Sequence, residues 1–408
     1  MFVLTNARVF DGSSEEILGG TSVVIEGARI REVTSSHVQL KDAQVLDCGG
    51  RLLMPGLIDA HFHACSPSLD LALGDRMPAS LMAAHAARIL EGTLRRGFTT
   101  VRDAAGADAG LAQAVELGLV RGPRLFVSGK ALSQTGGHGD LRAAGQLEPC
   151  GCGQYHGSLS MVADGADEMR RAVREQLRQG AHQIKLFLSG GVLSPTDPLW
   201  MPQFSAEEIL VAVQEAATRR TYVMAHCHTD EGARRCVDLG VRSIEHGTEI
   251  RDSTAALIAG KGLFVVPTLS IAALLQTQGK DLGVPQVSMA KLQGLYAGML
   301  ESIEACNRAG VKLGLGTDLL DHRFHALQGR EFKLRAEVSR PIDVLRSATS
   351  VNAELLQRGG ELGCIRAGAY ADLLVLDNDP LVDIESLGRP EESIALLMKA
   401  GELVKNRL

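Results

Sequence analysis

The sequence predicts an α/β protein: a (β/α)8 (TIM) barrel with a small β-sandwich domain formed by both termini. Three observations predict it. The middle of the chain alternates short apolar runs with helical patterns, which is how βα units and a parallel sheet read in sequence. Eight such runs fall within roughly 290 residues, the number and span of one barrel. Both chain ends, in contrast, are rich in short β-type runs, so they are expected to meet in one small domain. The expected boundaries are 1–55 with 353–408 for the β-sandwich and 56–352 for the barrel.

The first β-rich region contains "FVLTNARVF", "TSVVIEGARIREV" and "AQVLDCGGRLLMPG", separated by "DGSSEE" and other Gly-, Asp- or Ser-containing turns. The barrel strands are expected at "GLIDAHFH", "FTTVRD", "RLFVSG", "QIKLFLSGG", "TYVMAHCH", "RSIEHG", "GLFVVPT" and "VKLGLGTD". Helices are expected at "ASLMAAHAARILEGTLRRG", "DEMRRAVREQLRQG" and "SAEEILVAVQEAATRR". The last opens with a capping box in which Ser205 and Glu208 satisfy each other's end of the first turn. The chain closes with "GCIRAGAYADLLVLDNDP" and "IALLMKAGELVKNRL", again β-rich. An open doubly wound sheet is the alternative. No G-x-G-x-x-G follows the first strand, which lowers a dinucleotide-binding version of it.

Composition narrows the function. The chain is 45% hydrophobic and 22% charged, ordinary for a globular protein. A formal net charge of -6 and a pI near 6.1 leave no forced basic face, against a nucleic-acid partner. No apolar run reaches the roughly 18 residues of a membrane span, so no membrane partner is expected. The opening "MFVLTNARVFDG" lacks a basic n-region and a long apolar h-region. The eight cysteines are scattered, and "CGC" at 150–152 lacks a second pair at zinc-site spacing. A reducing, cytoplasmic setting is the expectation.

The metal-capable residues share one kind of position. His61 and His63 end the first predicted strand, Lys185 lies in the fourth, His226 and His228 end the fifth, His246 the sixth and Asp318 the eighth. The C-terminal ends of barrel strands open on one shared mouth, so these distant segments would converge. Residues i and i+2 of a strand face one side. His61 and His63 can therefore reach one ion together, with Phe62 turned into packing. His226 and His228 can do the same, with Cys227 between them. Imidazoles, a carboxylate and a strand lysine form a mixed N/O set suited to zinc or a similar divalent ion.

Each residue alone has a plainer explanation. A lone strand-end histidine is commonly a hydrogen-bonded core residue, Lys185 would snorkel or pair with an acid, and Asp318 could cap a helix. Their shared placement makes separate explanations poor. His37, His85, His156 and His182 read as turn or helix-surface residues. His322 and His325 fall in the last βα loop and receive no role.

At these residues the sequence resembles the amidohydrolase superfamily. "DAHFH", "IKLFLSGG", "AHCHTD", "SIEHG" and "GTD" come in that superfamily's order, and the likeness covers essentially the whole chain. "TGGHGD" (135–140) and "SGGVLSPTDP" (189–198) look like its metal-dependent prolidase-like dipeptidases, with imidazolonepropionase and ochratoxin-hydrolysing amidases nearby.

The resemblance implies two divalent metal ions, zinc first among the candidates. His61, His63 and Asp318 would hold one ion, and His226 and His246 the other. Lys185, N-carboxylated to a carbamate, would bridge them. His138 and His228 resemble substrate-binding histidines. The implied reaction is hydrolysis of an amide bond of a dipeptide or N-acyl amino acid, including ochratoxin-type amides, by metal-bound hydroxide. In it, His228 would help the developing oxyanion and Asp318 would shuttle the proton. A cyclic-amide hydrolase, a deaminase and a non-catalytic relative are the alternatives. The carbamate lysine disfavours deaminases, and the complete ligand set disfavours the non-catalytic relative. Relatives usually form homo-oligomers. Trp200, in "SPTDPLWMPQF", is a candidate for covering a bulky apolar substrate group or for packing within its own loop.

Overall fold

The computed structural model describes residues 1–408 except 37, 39, 143, 144, 146–157 and 195. His37, His156 and the Cys150–Cys152 pair lie outside the described residues.

The two chain ends do meet. Strands β1 (Phe2–Val9), β2 (Leu18–Glu26), β3 (Arg29–Thr34), β4 (Gln44–Asp47) and β5 (Leu52–Pro55) come from the start of the chain. The join is β5 against β16 (Leu373–Leu376), antiparallel, with Leu53 opposite Val375. Beyond β16 lie β17 (Ile394–Lys399) and β18 (Glu402–Asn406), giving an eight-stranded sheet. All four residues of β16 are buried, because alternate side chains serve different cores. Leu374 and Leu376 pack with Leu57, Phe98 and Phe332 of the central region. Leu373 and Val375 pack with Leu4, Val23 and Ile25 of the sheet's own core. One face of the terminal sheet is thereby fixed against the part of the chain that carries the site.

That central part is α/β with parallel strands. β6 (Leu57–Phe62), β7 (Phe98–Asp103) and β8 (Arg124–Val127) form one arc. β9 (Ala131–Ser133), β10 (Ser160–Val162), β11 (Ile184–Phe187), β12 (Val223–Cys227), β13 (Ser243–His246), β14 (Phe264–Val266) and β15 (Lys312–Leu313) form a second, in the order β10-β9-β11-β12-β13-β14-β15. All eight expected strands occur. β9 and β10, three residues each, are additional.

Individual hydrogen bonds tie the arcs together. Ala60 N–H donates to Leu315 C=O at 2.8 Å, and His182 N–H to Val127 C=O at 2.7 Å. The helices lie where expected. Helix Ala79–Arg95 buries Ala86, Ile89, Leu90 and Leu94, spaced for one face. Helix Ala206–Thr218 carries the Ser205–Glu208 capping box, with both reciprocal hydrogen bonds made. Among the described residues, no helix is long and apolar enough to cross a membrane.

Candidate metal centre and catalytic pocket

β6 delivers His61 and His63 to one side, while Phe62 enters the core beside Leu90 and Val101. The two Nε2 atoms converge on one oxygen, lying 3.4 and 3.0 Å from Asp318 Oδ1. Their Nδ1 atoms point away from it. His61 Nδ1 donates to Glu245 at 2.7 Å, and His63 Nδ1 faces Ala105 C=O at 3.3 Å. A proton fixed on Nδ1 leaves the Nε2 lone pair turned inward, the arrangement a metal ligand needs.

Asp318 is placed by its backbone. Its φ of +53° turns the chain after Thr317, and its N–H donates to His61 C=O at 2.8 Å. Gly316 is required beside it, because a Cβ there would lie 2.6 Å from His61 Cβ. Below, buried Asp59 accepts from His61 N–H at 3.1 Å, Thr317 Oγ1 at 2.6 Å and Gln328 Nε2 at 2.8 Å. The ends of β6 and of the chain following β15 are thus locked in register.

The other expected residues gather on the same spot. The rings of His226 and His246 are centred 4.6 Å apart, and His246 lies 4.8 Å from His61. His226 Nε2 lies 3.1 Å from Gly190 C=O, and His246 Nδ1 lies 2.8 Å from Thr268 Oγ1. Each of these rings therefore has one nitrogen tied back and one left over. Burial, reinforced by neighbouring positive groups, holds His226 and His246 well below the ordinary histidine value and brings His61 down to about 4. These imidazoles are neutral at pH 7, as metal ligation requires. His63 is raised instead: burial opposes its charge, but the Asp318 carboxylate outweighs it. Lys185 is buried, and burial brings its amine down to about 8 despite the attraction of Glu245 and Asp318.

His228 makes its Nδ1 contact with Thr248 Oγ1 at 2.7 Å, and burial pushes it down to about 3. His138 stacks on His226 at 4.5 Å between ring centres. Its ring lies so close over Gly191 that a Cβ there would fall within 2.4 Å of imidazole atoms. The backbone around His138 is closely packed, since Cβ atoms on Gly137 and Gly139 would lie 2.6 Å from Gln203 Oε1 and 2.5 Å from Phe187 Cε2.

Together these groups line one cavity whose remaining wall is largely apolar, with residues such as Leu71, Leu141, Leu159, Phe187, Leu193 and Ile271. Trp200 does not line it and is 72% exposed, so it is not packed within its own loop. His325 is buried against the Phe62 ring, also away from the lining.

Sequence reasoning missed the supports. Arg102, fully buried, grips Glu245 at 2.8 and 3.0 Å and also donates to Ala60 C=O at 2.6 Å. Glu245 and His246 are neighbours in sequence and would face opposite ways in a regular strand. His246 has a φ of +69°, which brings both side chains to His61. The "SIEHG" motif held the glutamate, but strict alternation points it away.

His61, His63 and Asp318 form a group able to hold a metal ion, with ligand atoms within 4.8 Å of one another. Two imidazoles with their Nδ1 atoms turned outward and their Nε2 atoms facing a carboxylate fit a divalent cation.

The Amidohydrolase family model matches residues 52–404. Ochratoxinase of Aspergillus niger is 34% identical over 367 residues, covering 87% of this chain and 76% of that protein. A solved amidohydrolase superposes with a TM-score of 0.96 at 47% identity, covering 100% of this chain and 99% of the other. A prolidase solved in complex with N-methylphosphonate-L-proline superposes at 0.95 with 46% identity, covering 99% of each chain. The chain belongs to the amidohydrolase family and is a hydrolase of carbon–nitrogen amide bonds.

Proposed function

We propose that the protein is a binuclear-metal amidohydrolase that cleaves the amide bond of dipeptides or N-acyl amino acids. The observation that carries this reading is the convergence of His61 Nε2 and His63 Nε2 on Asp318 Oδ1, with both Nδ1 atoms turned outward. His61, His63 and Asp318 would hold one ion, and His226 and His246 the other. Lys185 would bridge them as a carbamate. An amine brought down to about 8 has neutral molecules available at pH 7 to add carbon dioxide, forming an N–C bond and releasing a proton. When bound, the two metals would supply an activated water and polarise the substrate carbonyl.

The chain's own groups do the rest. Asp318 accepts the proton of the attacking water and delivers it to the leaving nitrogen. His228 is neutral, so with the Thr248 hydroxyl donating to Nδ1 its Nε2–H donates to the developing oxyanion. His138 contacts the substrate beside the scissile bond. The apolar wall excludes water and receives a bulky apolar group.

The prolidase captured with a proline phosphonate and the ochratoxinase of Aspergillus niger support this substrate class. The scaffold is read as a closed barrel over 56–352 with a β-sandwich from 1–55 and 353–408; an unbroken strand ladder in a crystal structure would check the closure. The functional test is a hydrolysis screen of zinc-loaded protein on Xaa-Pro dipeptides, aromatic N-acyl amino acids and cyclic amides. Cleavage confined to cyclic amides would replace this reading with an imidazolonepropionase-like one.

A further inference from the structure

Lys291 ends the short helix Gln286–Lys291, in the excursion between β14 and β15. Its ammonium has three N–H donors, and three backbone carbonyls take them: Gly191 at 2.7 Å, Ser194 at 2.6 Å and Asp197 at 2.7 Å. All three acceptors belong to the irregular loop that follows β11. One charge therefore gathers three points of this loop, through charge-assisted bonds to groups about a hundred residues earlier in the chain.

The same three residues surround His138. Gly191 forms the floor under its ring. Ser194 Oγ lies 2.6 Å from its Nδ1, and the fully buried Asp197 carboxylate lies 3.5 Å from that nitrogen. Asp197 also accepts from Gly191 N–H at 3.0 Å, which closes the loop on itself. A carboxylate and a hydroxyl oxygen on one side of the ring hold the proton on Nδ1 and fix the ring's direction.

We propose that Lys291 is a positioning residue for His138, setting that imidazole's orientation toward the substrate through Gly191, Ser194 and Asp197. The proposal rests on the reading of His138 as a substrate-contacting residue. Lys291 itself touches backbone, and its effect passes through Gly191, Ser194 and Asp197.

The test is a double-mutant cycle of Lys291→Met and His138→Ala. Its probe is N-benzoyl-L-phenylalanine or Leu-Pro, whichever the metal-loaded wild type hydrolyses faster, with metal per chain measured alongside. Lys291→Met is expected to lower kcat/KM by about 10- to 100-fold with wild-type metal content, the scale of a misplaced substrate contact. Added to His138→Ala, it is expected to cost less than a further twofold. Losses that multiply in the double variant would overturn the proposal, as would a Lys291→Met enzyme within twofold of wild type while His138→Ala is impaired. A His138→Ala enzyme equal to wild type would overturn the reading of His138 and the proposal with it. Should Lys291→Met not fold, Lys291→Gln, which keeps two donors, carries the same cycle.

Discussion

His61 Nδ1 donates to the Glu245 carboxylate at 2.7 Å, and both side chains are buried. Burial opposes the Glu245 charge, but Arg102 and His61 together bring it down to about 2, so it is an anion at any working pH. The bond fixes the His61 tautomer from behind the metal-facing nitrogen. Glu245→Gln is expected to weaken metal binding by about 10- to 100-fold, the usual scale for a partner behind a ligand. A competitive chelator titration measures it, and wild-type affinity in the variant would remove Glu245 from that role. Arg102 would lose its anion as well, so the variant should also be less stable by about 3 kcal/mol or more.

Lys185→Ala is expected to lose metal and activity together. Short carboxylates such as acetate or propionate should restore part of both, since they replace the anionic oxygens and leave the backbone alone. A variant that keeps the wild-type metal complement contradicts the bridging carbamate.

Asp318→Asn keeps the shape of the side chain and removes the base. It is expected to cut kcat by about 100-fold or more, with a much smaller change in KM. Steady-state kinetics on metal-reconstituted protein decide this, and an unchanged kcat would exclude Asp318 as the proton shuttle.

Gly316→Ala would press a methyl group to within 2.6 Å of His61 Cβ and 3.0 Å of His61 N. Neither neighbour can rotate away, because one is backbone and the other is fixed to it. The variant is expected to bind metal more weakly and to melt earlier by a few degrees. A wild-type melting temperature and metal content would show that the β6–Asp318 register tolerates movement.

Glu331 gives a pH prediction away from the metal centre. Its carboxylate accepts from Leu269 N–H at 3.1 Å and Ser270 N–H at 2.7 Å, at the start of helix Leu269–Gln278. Burial pushes it up to about 7, against the pull of Arg335 and these donors. A raised folded value means that the folded state holds the proton more tightly than the unfolded state. The contribution is complete below the ordinary glutamate value near 4.5 and is lost as pH rises through about 7. Denaturant midpoints measured from pH 4.5 to 8 should fall more steeply for wild type than for Glu331→Gln, and parallel curves would contradict it.

Much of this was legible in the sequence because the barrel strands are short apolar runs with polar ends. Strand period and strand-end position brought out His61, His63, Lys185, His226, His246 and Asp318 without any contact information. The residues that hold them were not legible, for identifiable reasons. Glu245 is hidden by the left-handed turn at His246, which breaks alternation. Arg102 sits in "FTTVRD", where one arginine in an apolar run gives no sign of its partner. Lys291 works across a gap of about a hundred residues on backbone carbonyls, which carry no sequence signal. Trp200 drew notice as the only tryptophan, but its surroundings leave it in solvent.

Hydrolysis is proposed to depend on two metals held by these side chains. This dependence is tested most directly by stripping the protein exhaustively with chelator and titrating zinc back, following metal per chain and amide hydrolysis together. No hydrolysis is expected in the stripped protein, and activity should saturate at two ions per chain. Undiminished hydrolysis by the metal-free protein would contradict this dependence.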